Sequence, residues 1–356
     1  SRGLNMTNRK RFFYNGALLA AVGLAMRSVG MLFGALVSRA VGAEGVGLYT
    51  LVMTVYAFAL TLATSGIGIT VTRHVAEELS SARGNASAVM RGAFFYATVF
   101  GILSFFIMFF GAGVIGNGII HDRRAVAALR ILSVSLLPNA LSAVLSGFFV
   151  GIKRVGSNAA VQVAANAFKI VITLFLVLGV GGDDVGRSIF LLCLGITLTE
   201  LLSFVLLLLQ YALYRKRQEG GRSRLREIVK TAMPLGFSAY VRSALLTVEH
   251  VLIPEKLKIY RGNGRDALAD YGRLHGMALP MVTYPMAPLS SFAGLLVPEF
   301  AGSSAAGDRK RLSRICSESI GMTLSYSIAV SVILSLFCEE LGFVVYGSYE
   351  AGRFIA

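Results

Sequence analysis

The stretch that decides the fold is AFFYATVFGILSFFIMFFGAGVIG at residues 93–116, a run of 24 residues without a charged side chain. An α-helix rises about 1.5 Å per residue, so a helix of this run would be about 36 Å long. The hydrocarbon core of a lipid bilayer is about 30 Å thick. A surface helix of a soluble protein has one polar face, and this run has none. The run therefore predicts a membrane-spanning helix.

Stretches of similar length and character recur along the whole chain. They predict nine complete spans, at residues 14–41, 46–72, 93–116, 126–151, 156–180, 188–212, 232–254, 275–298 and 316–338. A tenth span begins near Leu341, and the chain ends at Ala356 before this span could cross a bilayer. The sequence thus predicts an all-α polytopic membrane protein, C-terminally truncated after about nine to ten transmembrane helices.

The composition agrees with a lipid environment, because 55% of the residues are hydrophobic and only 15% are charged. Soluble domains carry about 25% charged residues. The net charge of +15 would indicate a nucleic-acid partner on a soluble chain, but here it indicates basic loops beside a membrane, and no nucleic-acid partner is expected. The loops on the side of the N-terminus hold 20 basic residues and the opposite loops hold 9. The N-terminus is therefore predicted to be cytoplasmic.

The longest basic loop, residues 214–230, follows the sixth span and contains a flexible QEGG core at 218–221. We interpret it as a linker between two lobes. The predicted N-terminal lobe, residues 1–228, contains six helices and this linker. The predicted partial C-terminal lobe, residues 229–356, contains spans seven to nine and the start of the tenth. Spans one and seven then enter from the same side, as in transporters built from parallel repeats.

Some charged residues lie inside predicted spans, where each costs about 2.5 to 3.5 kcal/mol on insertion scales and so needs a partner or a function. They are Arg27, Arg130, Lys169, Glu200, Arg242 and Glu249. Arg130 lies near the end of its span and can reach the interface. Lys169 and Glu200 can pair with each other, whereas Arg242 and Glu249 are two helical turns apart and share one face of span seven. Basic residues outnumber acidic ones, so a cavity lined by them favours an anion.

We predict a substrate-binding set of Arg27, Arg73, Arg242, Glu249 and Lys169. Arg73 joins the set because it lies at the cytoplasmic mouth of span two. Arginine suits such a site because its guanidinium group donates several hydrogen bonds to a phosphate at once. A structural ion pair or an interfacial anchor is the alternative role for each of these residues.

The cysteines and histidines, residue types that often bind metals or take part in catalysis, are scattered along the sequence. Cys193, Cys316 and Cys338 show no CxxC spacing, and the four histidines form neither an HExxH motif nor a nucleophilic set with Ser and Asp. The sequence therefore predicts no catalytic residue, no metal site and no cofactor, and the protein is not expected to be an enzyme.

Two groups of motifs resemble a known family. GAEGVGLY at 42–49, TSGIG at 64–68 and TRHVAE at 72–77 resemble the first helix pair of polysaccharide-biosynthesis membrane proteins. The second group looks like the stage V sporulation protein B group, and consists of EHVLIPEKL at 249–257, GMALP at 276–280, LVPE at 296–299 and VYG at 345–347. That group stands with lipid II flippases and multidrug and toxin extrusion transporters in one superfamily.

The resemblance implies a two-lobed helical-bundle transporter of the bacterial cytoplasmic membrane, working as a monomer by alternating access. Its implied substrate is an undecaprenyl-diphosphate-linked saccharide, a peptidoglycan precursor or a polysaccharide repeat, flipped from the inner to the outer leaflet for cell wall or spore cortex synthesis. Arg27, Arg73 and Arg242 would engage the diphosphate. Our own hypothesis is that the polyprenyl tail stays in lipid, in a gap between spans one and eight. Na⁺, H⁺ or the membrane potential would drive transport.

Two other functions stay open from the residues alone. An ion-coupled multidrug or cation antiporter of the same fold would need carboxylates in the first lobe, where Glu200 is the single candidate within a span. A membrane-embedded glycosyl- or phosphotransferase would need metal-binding or acid and base carboxylates at a membrane face, and the sequence offers no convincing set.

Overall fold

The computed structural model describes the backbone of residues 6–64, 66–80, 86–152, 154–177, 179, 184–214, 224–286, 289, 296 and 307–355. Side chains are described from residue 28 onwards within these ranges, apart from those of residues 80, 155, 157 and 261. All regular structure in these ranges is helical.

The following helices lie in the described part of the first half of the chain. They are α1 (Met6–Thr64), α2 (Ile67–Ser80), α3 (Ala86–Val114), π1 (Ile115–Ile119), α4 (Arg124–Ser133), α5 (Leu136–Gly151), α6 (Val155–Leu176) and α7 (Val185–Tyr214). The helix α1 covers predicted span one and residues 46–64 of predicted span two, but its path breaks at Gly42, where φ is 67° and ψ is 179°. Glycine permits this left-handed φ because it has no Cβ.

The second half forms a long helix followed by shorter ones. They are α8 (Leu225–Arg261), α9 (Gly264–Tyr271), π2 (Gly272–Ala278), α10 (Leu279–Thr283), α11 (Arg309–Leu336), α12 (Cys338–Tyr346) and α13 (Tyr349–Arg353). The prolines of predicted span eight indicate a kinked or broken helix, and the described backbone has a π-helix at its start and a turn at Tyr284 and Pro285. Pro288 and Pro298 lie outside the described residues.

Predicted span four is two helices rather than one, because α4 and α5 are bent by 41° relative to each other. Pro138 explains the break. It lies in the first turn of α5 and has no N–H to donate to the carbonyl of Val134, so the helical hydrogen-bond ladder is interrupted between the two helices.

Five helices of the described part are long and apolar enough to cross a membrane, or six if the bent pair counts as one span. Ser28–Leu79, the first of these, contains residues 28–41 of predicted span one and all of predicted span two. The span predicted at 232–254 is not among the five, because α8 carries charged residues along its length. The span predicted at 275–298 includes residues outside the described part.

The chain divides into two compact units. The larger unit, residues 43–270, packs α2 and α3 on α5, α6 on α7, α4 on both α3 and α7, and α8 on α2 and α3. The smaller unit, residues 1–42 and 271–356, packs α10, α12 and α13 on π2. Both boundaries fall on irregular backbone, at Gly42 and at the start of π2. The predicted lobes, 1–228 and 229–356, have a different boundary and stay a prediction.

Glycines set the close approach of α2 and α5 in the core of the larger unit. A Cβ on Gly147 would lie 3.1 Å from Val71 Cβ, and a Cβ on Gly151 would lie 3.1 Å from Val75 Cβ. Thr72 Oγ1 also donates to the carbonyl of Gly147 at 3.1 Å. Small residues let membrane helices pack backbone to backbone, which fixes the scaffold on which the polar side chains stand.

Candidate functional site

Lys169 and Glu200 line one polar cavity of about 260 Å³ inside the larger unit. The cavity lies between α5, α6 and α7, and each helix turns a polar stripe towards it. The uncharged polar residues of these stripes are Asn139, Ser142, Ser146, Gln162, Asn166, Thr199 and Ser203. The ammonium group of Lys169 and the carboxylate of Glu200 attract each other there. Two charges can persist inside the bundle because each reduces the cost of burying the other.

A short chain of hydrogen bonds extends this polar region through Asn139. Its Nδ2 donates to the hydroxyl of Tyr56 at 3.5 Å, and that hydroxyl bonds the hydroxyl of Ser135 at 2.8 Å. Tyr56 and Ser135 are buried, so these bonds satisfy polar groups that water does not reach. Ser142 Oγ is a buried side-chain oxygen without a hydrogen-bond partner in the described part of the chain, and it faces the same cavity.

Arg73 lies on the exposed face of α2. Its Nε donates to Glu77 Oε1 at 2.8 Å, one helical turn away, and both side chains are more than half exposed. His74 beside it contacts Glu77 at 3.2 Å and bonds Thr231 of α8 at 3.1 Å. The Arg73 guanidinium group is therefore paired on one side and open on the other.

Arg242 and Glu249 are both exposed on α8, and within the described part of the chain the structure records no ion pair for either. Helical geometry places them on the same face, two turns apart. The side chain of Arg27 lies outside the described residues, and its backbone belongs to the smaller unit. Of the four predicted substrate-binding residues whose side chains the structure describes, Lys169 lines the polar cavity between α5, α6 and α7, whereas Arg73, Arg242 and Glu249 do not, and the substrate-binding set stays a prediction.

The smaller unit contains a cleft of about 500 Å³ between predicted spans one and eight. Glycines and apolar residues form most of its walls: Gly30, Met31, Gly34, Gly276, Pro280, Thr283, Tyr284 and Tyr346. The hydroxyl groups of Ser28 and Tyr284 hydrogen bond at 2.6 Å and join the two spans beside it. A cleft with such weakly polar walls can hold an apolar chain.

A larger cavity of about 960 Å³ lies in the larger unit, and sequence reasoning missed it. It is lined by loop residues after π1, by Glu44 and Asp184, and by the end of α8 and the start of α9. The loop charges gave no sign of a cavity, because in the sequence they contribute only to the count of basic residues on one side. Three charged residues of the lining form a cluster in which Arg124 Nη2 bonds Glu44 Oε1 at 2.6 Å and Asp122 Oδ2 at 2.7 Å.

Among the described residues, no group of His, Cys, Asp and Glu is arranged to hold a metal ion. The thiol of Cys193 is buried, and those of Cys316 and Cys338 are partly exposed.

Long apolar helices with polar cavities among them are the features of an all-α polytopic membrane protein. The chain belongs to the polysaccharide biosynthesis protein family, whose model matches residues 12–298. It is 27% identical over 375 residues to stage V sporulation protein B of Bacillus subtilis (strain 168), an alignment that covers 97% of this chain and 69% of that protein.

Solved transporter structures show the same fold. One is an inward-facing multidrug resistance MATE family transporter of the MOP superfamily, with a TM-score of 0.69, 14% identity, and coverage of 94% of this chain and 78% of that one. Another is a MOP superfamily transporter from Pyrococcus furiosus Vc1 (DSM3638), with a TM-score of 0.57, 16% identity, and coverage of 94% and 76%. The predicted family is confirmed, and so is the prediction of an all-α polytopic membrane protein with a transporter fold.

Proposed function

We propose that this protein flips an undecaprenyl-diphosphate-linked saccharide, a peptidoglycan precursor or a polysaccharide repeat, from the inner to the outer leaflet of the bacterial cytoplasmic membrane. The observation that carries the proposal is that a chain with a transporter fold belongs to the polysaccharide biosynthesis family over residues 12–298. This fold moves substrates across a bilayer, and the family is named for polysaccharide synthesis. Together they indicate that the cargo is a lipid that carries a saccharide.

The cleft between predicted spans one and eight supports the lipid part of this proposal. A polyprenyl chain is long and apolar, so moving it from lipid into a polar, hydrated cavity would cost free energy. The cleft has apolar and glycine-rich walls, so the chain can stay in lipid while the headgroup moves.

The diphosphate would bind basic side chains, for which Arg27, Arg73 and Arg242 are the candidates, with Lys169 and Glu249 as further members of the site. Arg242 is exposed and without a recorded ion pair in the described residues, so its donors can reach a phosphate. Alternating access exposes this site to one leaflet at a time, with Na⁺, H⁺ or the membrane potential as driving force. Transport makes and breaks no covalent bond, so the proposed activity is not enzymatic.

The test is leaflet exposure of a fluorescent lipid-linked disaccharide in vesicles that contain the purified protein. We expect the protein to expose the lipid to an impermeant quencher, and the Arg27→Ala, Arg242→Ala double variant to slow this exposure at least tenfold. Lys256→Ala is the matched control, because Lys256 is an exposed cation on the same helix as Arg242. Unchanged flipping in the double variant would show that Arg27 and Arg242 do not bind the diphosphate headgroup. Efflux of a cationic dye without flipping would favour the antiporter instead.

A further inference from the structure

We infer that the 960 Å³ cavity under the end of α8 binds the saccharide portion of the cargo and selects a saccharide that carries both an ammonium and a carboxylate group. This inference rests on the proposed function, because it names the headgroup class that the transporter recognises. We refer to the cavity as the arch cavity, since α8 and α9 form an arch over it.

The arch is built by contacts at both of its ends. Near the start of α8, Thr231 bonds His74, and in its middle Ser243 Oγ lies 3.4 Å from Thr61 Oγ1. Beyond Val251 the helix borders the cavity, and the chain returns to α1 where the backbone of Leu268 in α9 contacts Gly47. The space under the arch is therefore bounded by packed helices, and its volume falls in the range of ligand sites, about 300–1,000 Å³.

One wall of the arch cavity is held rigidly by ion pairs. Arg124 Nε donates to both oxygens of Asp122 at 3.0 Å, and Arg124 Nη2 reaches Asp122 and Glu44. Charge-assisted bonds with several donors fix the guanidinium plane. Arg123 and Asp184 complete the charged groups of this wall. The wall offers charges of both signs at fixed positions.

The opposite wall carries charges without recorded partners. Glu255 and Lys258 are exposed on α8, and Arg265 is exposed on α9; the structure records no ion pair for these three within the residues it describes. Asn263 orders the start of α9, since its Oδ1 accepts from the backbone N–H of Arg265 at 3.0 Å. A ligand can thus meet these charges without first breaking an ion pair.

The balance of charge defines the ligand. The cavity is lined by four acidic side chains (Glu44, Asp122, Asp184 and Glu255) and four basic ones (Arg123, Arg124, Lys258 and Arg265). A polyanion would face the carboxylates and a lipophilic cation would face the guanidinium groups, so like-charge repulsion disfavours both. A neutral saccharide would form no ion pair with any of these charged side chains, which would stay solvated by water. A ligand with one ammonium and one carboxylate group gains charge-assisted hydrogen bonds on both sides.

The backbone beside the cavity is irregular in a way that is common at binding sites. The helix before it ends in the π-helix π1, and His121 adopts a left-handed conformation with φ of 59°. π-Helical turns and left-handed non-glycine residues are energetically unfavourable and persist only where the surrounding structure holds them in place. They are common at functional sites.

The test is calorimetric binding of three disaccharides to the purified protein in detergent. The first, glucosamine linked to glucuronic acid, has an ammonium and a carboxylate group; its N-acetylated form keeps only the carboxylate; N,N′-diacetylchitobiose is neutral. We expect the first to bind at least tenfold more tightly than the other two. Equal affinities, or no binding of the first at millimolar concentration, would overturn the inference.

Two substitutions separate the charges and one serves as control. Glu255→Gln is expected to remove the preference for the free amine, and Lys258→Met is expected to weaken both carboxylate-bearing probes about tenfold. Lys256→Met, on the same helix but outside the cavity lining, should bind as the unaltered protein does. Equal losses in all three variants would also overturn the inference. A vesicle assay that shows flipping without charge selectivity would contradict this inference and leave the transport proposal intact. Selective binding without flipping would contradict the transport proposal instead.

Discussion

At the scale of single residues, Lys169 and Glu200 are the pair that the structure explains best. The sequence leaves open whether Lys169 pairs with Glu200 or binds substrate, and the structure brings both side chains to one polar cavity in which they attract each other. A stability measurement and a transport measurement on the same variants separate the two roles.

We predict that Lys169→Met destabilises the protein, because it leaves the Glu200 carboxylate partly buried without its counter-charge. Removing one partner of a fully buried pair costs about 3–5 kcal/mol, and partial exposure reduces the expected loss to about 1–3 kcal/mol. Lys169→Met with Glu200→Gln should recover most of this loss, since no charge is left behind. Thermal unfolding in detergent measures it, with Lys256→Met as control.

Equal unfolding temperatures for the Lys169→Met single variant and the double variant would contradict the pairing. If the stable double variant flips lipid normally, the pair is structural. If it is stable but inactive, Lys169 belongs to the substrate site, as the sequence predicts.

At the scale of elements, irregular helix segments accompany the cavities. The π-helix π1 precedes the loop that lines the arch cavity, and π2 contributes Gly276 to the cleft in the smaller unit. A π-helical turn shifts the register of the following residues relative to an α-helix, so it changes which side chains face a cavity. Close helix contacts at glycines hold the regular parts around them.

We predict that Gly47→Ala destabilises the larger unit, because a Cβ at this position would clash with the backbone of Leu268. Overpacking of this kind costs about 1–3 kcal/mol. Gly113→Ala is the matched control, since nothing lies within 4 Å of a Cβ there. Alanine is favoured over glycine in a helix by about 0.5–1 kcal/mol, so Gly113→Ala should be neutral or stabilising. Equal unfolding temperatures of the two variants would show that α9 yields at this contact.

At the scale of the whole molecule, orientation in the membrane follows from charge rather than from contacts. The loops assigned to the cytoplasm carry more than twice as many basic residues as the opposite loops, 20 against 9. Basic loops tend to be retained on the cytoplasmic side, which fixes the direction of every helix once the first is inserted. The cytoplasmic N-terminus stays a prediction until it is measured.

We predict that single cysteines on the two loop sets react from opposite sides of the membrane. In a background in which Cys193, Cys316 and Cys338 are replaced, Arg123→Cys should react with an impermeant maleimide in intact cells. Lys310→Cys should react only after the cells are permeabilised. The reverse pattern would place the N-terminus outside and invert the proposed direction of transport.

The sequence by itself determined the helices, because the length of an apolar run is a local property. The run at 93–116 lies within α3 and π1, and the run at 188–212 lies within α7. It also determined the family through motifs between residues 42 and 347, and it placed Lys169 and Glu200 as charges that need partners. Even the bend in predicted span four has a local cause in Pro138, although the length of the apolar run predicted one continuous helix.

Only the tertiary structure decided which charges share a cavity. Arg124 and Glu44 are 80 residues apart and bond at 2.6 Å, a pairing that no local pattern encodes. The arch cavity exists because α8 packs on α2 and α3 while α9 returns to Gly47, so its lining depends on contacts between distant segments. The hydropathy of a segment indicates whether that segment is more stable in lipid or in water. The position of one charge relative to another depends on how the helices pack, and packing is a property of the folded chain.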